Sequence, residues 1–419
     1  MSELADLSSH VRPGDAVIWG QGTGEPLTLT QALVAQRATL GPLSIFVGAC
    51  FSDTLQPDHA DHLTIGSYGT LGGTTRALAA AGALDLYPIH ISRIARAIDE
   101  GQIGCDVALV QLSPKGPNGK HSLGPINDYM RNAMAKARIV IAEVNHAVPW
   151  TYGETLANLG NVVLTVETNR MPAQLLARAP SVLDSAIAAH VAGIVPDRAT
   201  LQVGIGGTID ALLTCLVGHR DLGIHSGTIG DAVLDLIEAG VITNAAKPID
   251  QGITVTGSLF GSLRLLQAAG LNKAFRVDPF DYTHLGATTA RIANLVAINS
   301  AVEVDITGQV NAEITGGRYI GAVGGQVDFM HAASGARQGC SIIALPSTAA
   351  TGKFSRILDK VDNVTCARSE VDYVVTEHGV ADLRGQPMRS RISRMIAIAD
   401  PAFRDQLERQ AHARLKQGF

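Results

Sequence analysis

The chain has 419 residues, of which 46 % are apolar and 17 % charged, and its mean hydropathy is +0.18. That composition excludes disorder, and the length predicts more than one domain. Thirty-three basic against 38 acidic side chains give a formal charge of −5, which argues against a nucleic-acid partner because phosphate binding needs a basic excess.

In chain order, a repeating unit appears: a short β-branched run, a Gly-rich turn, then a helical pattern. Ala16–Gly20 runs through Gln21–Pro26 into a helix from Leu29 to Ala38. Cys105–Leu112 predicts a second strand leading into the turn Ser113–Gly119, and Arg138–Asn145 a third, after a helix ending near Ala137. Apolar strands without alternation, separated by helices, indicate sheets covered on both faces, hence an α/β fold. Pro172–Val195 is expected to be helical. A second series starts at Leu201–Gly206 and continues with Leu222–His225, Ile253–Thr256 and Leu295–Ile298. Residues 301–325 change to short alternating runs and glycines, which predict antiparallel β; Pro401–Phe419 predicts a charged amphipathic helix. The boundary is placed near residue 185, giving domains 1–185 and 186–419.

No run reaches the roughly 18 apolar residues of a membrane span. The start, Met1–Asp6, lacks the basic head and apolar stretch of a secretory signal. Cys50, Cys105, Cys215, Cys340 and Cys366 stand far apart with no C-x-x-C pair. A reducing cytoplasm, no membrane partner and mostly core thiols are the expectations.

Three glycine-dense turns stand out. Gly204-Ile205-Gly206-Gly207 closes a strand, with Thr208 placed to cap the next helix, where exposed N–H groups favour an anion. Ile209 stands where a dinucleotide fingerprint wants glycine, and no G-x-x-x-x-G-K-[ST] loop is present. The segment Gly223–Asp231 predicts a loop presenting His225, Ser226, Thr228 and Asp231, the last as a cap. Gly321–Phe329, with Gly324, Gly325 and Gln326, offers close backbone approach and oxyanion donors. Asp58, His59, Asp61 and His62 have metal-ligand types but no second cluster, so a surface loop is the better reading and no metal is expected. Lys353 and Arg384 are read as solvated or paired charges, and Thr376–Gly385, after the strand Tyr373–Val375, as either an ion-pair network or a segment near the site.

These segments together resemble the acetyl-CoA hydrolase/transferase family, the class I CoA-transferases of the 4-hydroxybutyrate and butyryl-CoA:acetate type. The resemblance runs nearly end to end: Gly24-Glu25-Pro26, Ser113–Gly124, Glu143-Val144-Asn145, Gly204–Leu212, Asp221–His225, Gly240–Asn244, Ala297–Val310, Gly324–Phe329, Ile343–Thr348 and Val375–Gly385. It implies two CoA-transferase-type (NagB/RpiA-like) α/β domains with open, mostly parallel sheets and a site between them. It also implies coenzyme A as substrate with no tightly bound cofactor, CoA contacts from Gly204, Gly206, Gly207, Thr208, Gly324, Gly325 and Gln326, and a homodimer or higher oligomer. An acyl-CoA, with or without a small carboxylic acid, is the expected partner.

Members attack the thioester with a glutamate after the His-Ser or His-Thr strand end, giving an anhydride and then a glutamyl-CoA thioester. At that position this chain carries Gly227, between His225 and Asp231. Three functions follow: hydrolysis by water positioned by His225, Glu25 or another nearby acid in the space a glutamate would fill, which is favoured; CoA transfer through a substitute carboxylate such as Glu25 or Glu313, or a ternary complex; and a CoA-ester binder without turnover.

Overall fold

The computed structural model describes residues 5–156, 160–416 and 418. Met1–Leu4, the head of the run without a leader signature, and Gln417 and Phe419, at the end of the expected terminal helix, lie outside these. Of that helix, Pro401–Lys416 is formed, burying Leu407 and Ala411.

The first half builds a seven-stranded parallel sheet. Its strands are β1 (Ala16–Trp19), β2 (Leu43–Phe46), β3 (Leu63–Ser67), β4 (Asp85–Leu86), β5 (Val107–Leu112), β6 (Ile139–Asn145) and β7 (Val162–Thr168), in spatial order 4-3-2-1-5-6-7. The second half repeats that order with one strand added. It comprises β8 (Thr200–Val203), β9 (Gly223–Ile229), β10 (Thr254–Leu259), β11 (Phe275–Val277), β12 (Leu295–Asn299), β13 (Cys340–Ala344), β14 (Tyr373–Thr376) and the antiparallel β15 (Gly379–Asp382), in order 11-10-9-8-12-13-14-15. The β-branched runs become strands because both faces of each sheet are covered. Val17 and Trp19 pack in one apolar layer and Ile18 in the opposite one; Leu201 and Val203 share a layer across from Ala297 and Leu295. In each half the order reverses beside the first strand, so the crevice that such sheets use for ligands opens at the carboxyl ends of β1 and β5 and of β8 and β12.

The two carboxyl ends face each other. Thr23, after β1, donates to the Leu259 carbonyl at 2.8 Å, and Asn127 N–H to that of Gly257 at 3.1 Å. Thr70 and Ile91 donate to the carbonyls of Gly321 and Gly324 at 2.9 and 3.1 Å, and the Ser92 hydroxyl to Asp328 at 2.7 Å. The Gly321–Gly324 turn is thereby clamped against the first half. The short antiparallel pairs expected between residues 301 and 325 are present at Glu303–Asp305 with Val310–Asn311, and at Ile314–Thr315 with Arg318–Tyr319.

Two local expectations are corrected. Residues 172–195 are not one helix: Pro172 and Pro180 keep the chain open until α2 (Val182–Ala192), which follows α1 (Leu27–Leu40). The open segment lies on the second half, with Leu175 N–H on the Gly261 carbonyl at 3.2 Å and Gln174 accepting from Leu263 at 2.9 Å. The expected loop 223–231 is instead mostly strand. β9 runs through to Ile229 and pairs with β10 on both sides of Gly227, opposite Gly257. Four cysteines are buried and Cys215 is exposed. No described helix is long and apolar enough to cross a membrane.

Candidate active site

β9 sends His225 and Gly227 to the same face, as alternate residues of a strand must. On that face lies the short helix α3 (Phe280–Thr283) and, next to it, His284. The His284 imidazole fills the room in front of Gly227: a Cβ built there would meet Cε1 and Nε2 at 2.5 Å each. The same ring fills the room in front of Gly325, where a Cβ would meet Nε2 at 2.5 Å and Cδ2 at 2.7 Å. Two glycines from distant segments therefore make a notch for one side chain. Gly325 is the cap of α4 (Gln326–Ser334), and Gly324 before it has φ +59°, a conformation natural to glycine.

The ring is held on three sides. Phe280 and Phe329 stand with ring centroids 4.9 and 4.8 Å away, and Nδ1 is 2.8 Å from the Thr283 hydroxyl. His284 is 3 % exposed. Burial first, and then the neighbouring His225, push its pKa down to about 3. His225 is itself fully buried and bound through Nε2 to the Thr283 carbonyl at 3.1 Å; burial first and Lys247 second take it down to about 4. Both rings are neutral at pH 7.

An imidazole with a lowered folded pKa takes up its proton only on unfolding, so its contribution is intact above about pH 6.5 and is lost as pH falls toward the folded value. In urea titrations, His284→Gln should gain on the wild type by at most about 1.4 kcal/mol per pH unit as pH falls from 6.5 toward 4. A stability difference independent of pH would contradict the buried neutral ring.

The other expected site residues have surroundings of their own. Glu25 is 2 % exposed and accepts from Thr30 at 2.8 Å and Ser52 at 2.6 Å; burial raises its pKa against those bonds. Glu313 accepts from Tyr319, Asn363 and Thr365, which occupies both of its oxygens. Gly204, Gly206 and Gly207 border a cleft of ≈330 Å³ with Arg76, Arg178 and Asp231. Thr208 is not a cap, because Gly206 at φ +122° takes that place; its hydroxyl goes to Asp184 at 2.5 Å. Asp231 likewise opens its helix behind Gly230 and binds Ser262 at 2.6 and 2.8 Å. Gln326 donates to the Ser300 carbonyl at 3.2 Å. Arg384 pairs with Asp382 at 2.8 Å and covers the Tyr373 ring. Among the described residues no cluster of His, Cys, Asp and Glu could hold a metal ion; Asp61 of the suspected cluster is paired with Arg37.

His284 is the residue that sequence reasoning passed over. Asp281-Tyr282-Thr283-His284-Leu285 has no motif shape, and the signal is a fit between this ring and two glycines far away in the chain.

With this geometry in place, likeness to known proteins can be weighed. The N-terminal domain of the acetyl-CoA hydrolase/transferase family matches residues 1–176 and its C-terminal domain residues 261–411. The chain belongs to the acetyl-CoA hydrolase/transferase family. It is an enzyme of acyl-CoA chemistry, a hydrolase or a transferase. The chain is 36 % identical to the 4-hydroxybutyrate coenzyme A transferase of Clostridium kluyveri, over 96 % of this chain and 94 % of that protein. It is 28 % identical to the acetyl-CoA hydrolase of Eremothecium gossypii, over 73 % of this chain and 66 % of that one. The crystal structure of RipA from Yersinia pestis superposes with a TM-score of 0.89 at 30 % identity, covering 97 % of this chain and 95 % of the other. The mostly parallel α/β architecture expected of the family is the one present.

Proposed function

We propose that this family member hydrolyses acyl-CoA thioesters with water and forms no glutamyl-CoA intermediate. The observation that carries the reading is the filled notch: where the resemblance expects a glutamate, Gly227 has no side chain and the His284 ring takes up the space. A covalent carboxylate route has no attacker there. The carboxylates expected as substitutes, Glu25 and Glu313, each spend their oxygens on neighbouring hydroxyls, and Glu313 on an amide as well. The family holds proteins named as transferases and as acetyl-CoA hydrolases, so hydrolysis lies within its range.

One part of the sequence expectation changes. The space in front of Gly227 is taken by an imidazole and is not the place of the attacking water. His225, sealed in and bonded to a carbonyl, is a supporting group in this reading and not the base. CoA lies, in the proposal, along Gly204, Gly206, Gly207 and Thr208 and reaches the start of α4 at Gly324, Gly325 and Gln326. A division near residue 185, straddled by α2, a cytoplasmic location and a homodimer complete the proposal.

Free-thiol release from acetyl-CoA and butyryl-CoA, assayed with no carboxylate present, tests it. Release that saturates with thioester and gains less than twofold from added acetate is the expected result. Release that requires acetate would establish transfer, and binding without release would establish a CoA-ester binder; either defeats the reading.

A further inference from the structure

Buried imidazoles ordinarily have both ring nitrogens in hydrogen bonds. His284 does not. Nδ1 has the Thr283 hydroxyl, while Nε2 has no partner among the described residues although it is the ring atom wedged between Gly227 and Gly325. Beside it, the N–H groups of Gly325 and Gln326, at the start of the nine-residue α4, have no acceptor either. The ring also lines a cavity of ≈450 Å³ together with His90, Leu285, Thr289, Val327 and Asp328. Nearby, the buried Nδ1 atoms of His90 and His225 lack partners too. A basic nitrogen packed against Gly325, two N–H groups without acceptors at that same turn and a cavity reached by the ring thus lie in one neighbourhood.

We propose that His284 is the general base of this site, taking a proton from the water that attacks an acyl-CoA carbonyl held by the N–H groups of Gly325 and Gln326. The proposal rests on the hydrolytic reading and names the group that does its chemistry. As the water oxygen bonds to the carbonyl carbon, one water proton passes to Nε2. The negative charge formed on the carbonyl oxygen sits on the two N–H groups at the positive end of the helix. When that intermediate collapses, the C–S bond breaks with its electron pair going to sulfur, and Nε2 returns the proton to the thiolate. The products are the carboxylic acid and CoA thiol, with no redox change and no further reactant.

The neighbourhood sets the ring up for this. When Nδ1–H donates to the Thr283 oxygen, the Thr283 hydroxyl can pass its own proton bond to the Pro279 carbonyl at 3.4 Å, leaving the lone pair on Nε2. Thr283 is a positioning residue. The charged and titratable groups around the ring are His225 from β9 and, across the cavity, His90, Asp328 and His331. Burial keeps the free ring unprotonated, and the oxyanion that forms beside it raises its proton affinity only during the step.

The test uses the full chain with His284→Gln, which keeps a polar group of similar size, and Thr283→Val, which keeps the ring. With acetyl-CoA and no acceptor, His284→Gln should lower kcat by about 10²–10⁴-fold and leave KM within about threefold. Thr283→Val should lower kcat by about tenfold and shift the acid limb of its pH profile, which loss of packing alone would not do. His284→Gln retaining kcat within about threefold of an active wild type overturns the proposal and leaves hydrolysis standing. A wild type that releases no thiol defeats the hydrolytic reading itself. An acyl group found on His284 during turnover would make the ring a nucleophile and also overturn its role as base.

Discussion

Gly227→Glu alone should destabilise the protein by about 3 kcal/mol or more and yield no CoA transfer. The new Cβ would stand 2.5 Å from two atoms of the His284 ring. That ring is packed against Phe280 and Phe329 and tied through Nδ1 to Thr283, so moving it breaks these contacts. A carboxylate pushed into the same buried space adds desolvation to the steric cost. The companion variant Gly227→Glu/His284→Gly removes the obstacle. It should recover most of the lost stability, show acceptor-dependent CoA transfer and carry a hydroxylamine-sensitive CoA adduct. The two substitutions should be strongly non-additive in urea unfolding, as expected for groups that compete for one volume. Additive effects would mean that ring and side chain do not share that space.

The second large effect lies under α1. That helix starts at Leu27 with Pro26 as its cap residue and no side-chain cap of its own. Its cap comes instead from β6: the fully buried Glu143 carboxylate accepts the N–H of Thr28 at 2.8 Å and of Leu29 at 3.4 Å, with the hydroxyls of Thr28 and Thr168 at 3.0 Å. A negative group at a helix start satisfies orphan donors and the positive end of the dipole together. Glu143→Ala strips both and should cost about 3 kcal/mol, read as a lower urea midpoint at unchanged slope. Glu143→Gln keeps an acceptor oxygen and should cost less than half as much. Equal losses for the two variants would show that charge and not acceptor geometry dominates.

Much of the architecture is legible in the sequence because it is local. Val107–Leu112 and Ile139–Asn145 are apolar without alternation, and only strands covered on both faces bury them completely. Where pattern misled, a longer-range contact overrode it. The glycines of β9 look like a loop, yet parallel pairing with β10 carries the strand past them. Residues 172–181 have helical composition, but prolines and bonds to the second half hold them open. At the site, Gly227 and Gly325 are visible in the sequence as unusual glycines. What makes them a pair is the ring of His284, and a fit among three separated segments leaves no local periodicity to read. Glu25 shows the opposite limit: the tripeptide Gly24-Glu25-Pro26 is visible in the sequence, but the bonds of its carboxylate to Thr30 and Ser52 are not.

Whether the acyl oxygen comes from water is the central question. A single turnover of acyl-CoA in ¹⁸O-labelled water, with no carboxylate acceptor present, answers it when the released acid and the intact protein are both weighed by mass spectrometry. One labelled oxygen in the acid and a protein mass free of any CoA adduct is the outcome that the filled Gly227 notch requires. Unlabelled acid, or a protein heavier by one CoA, would mean that a carboxylate in this chain still attacks the thioester.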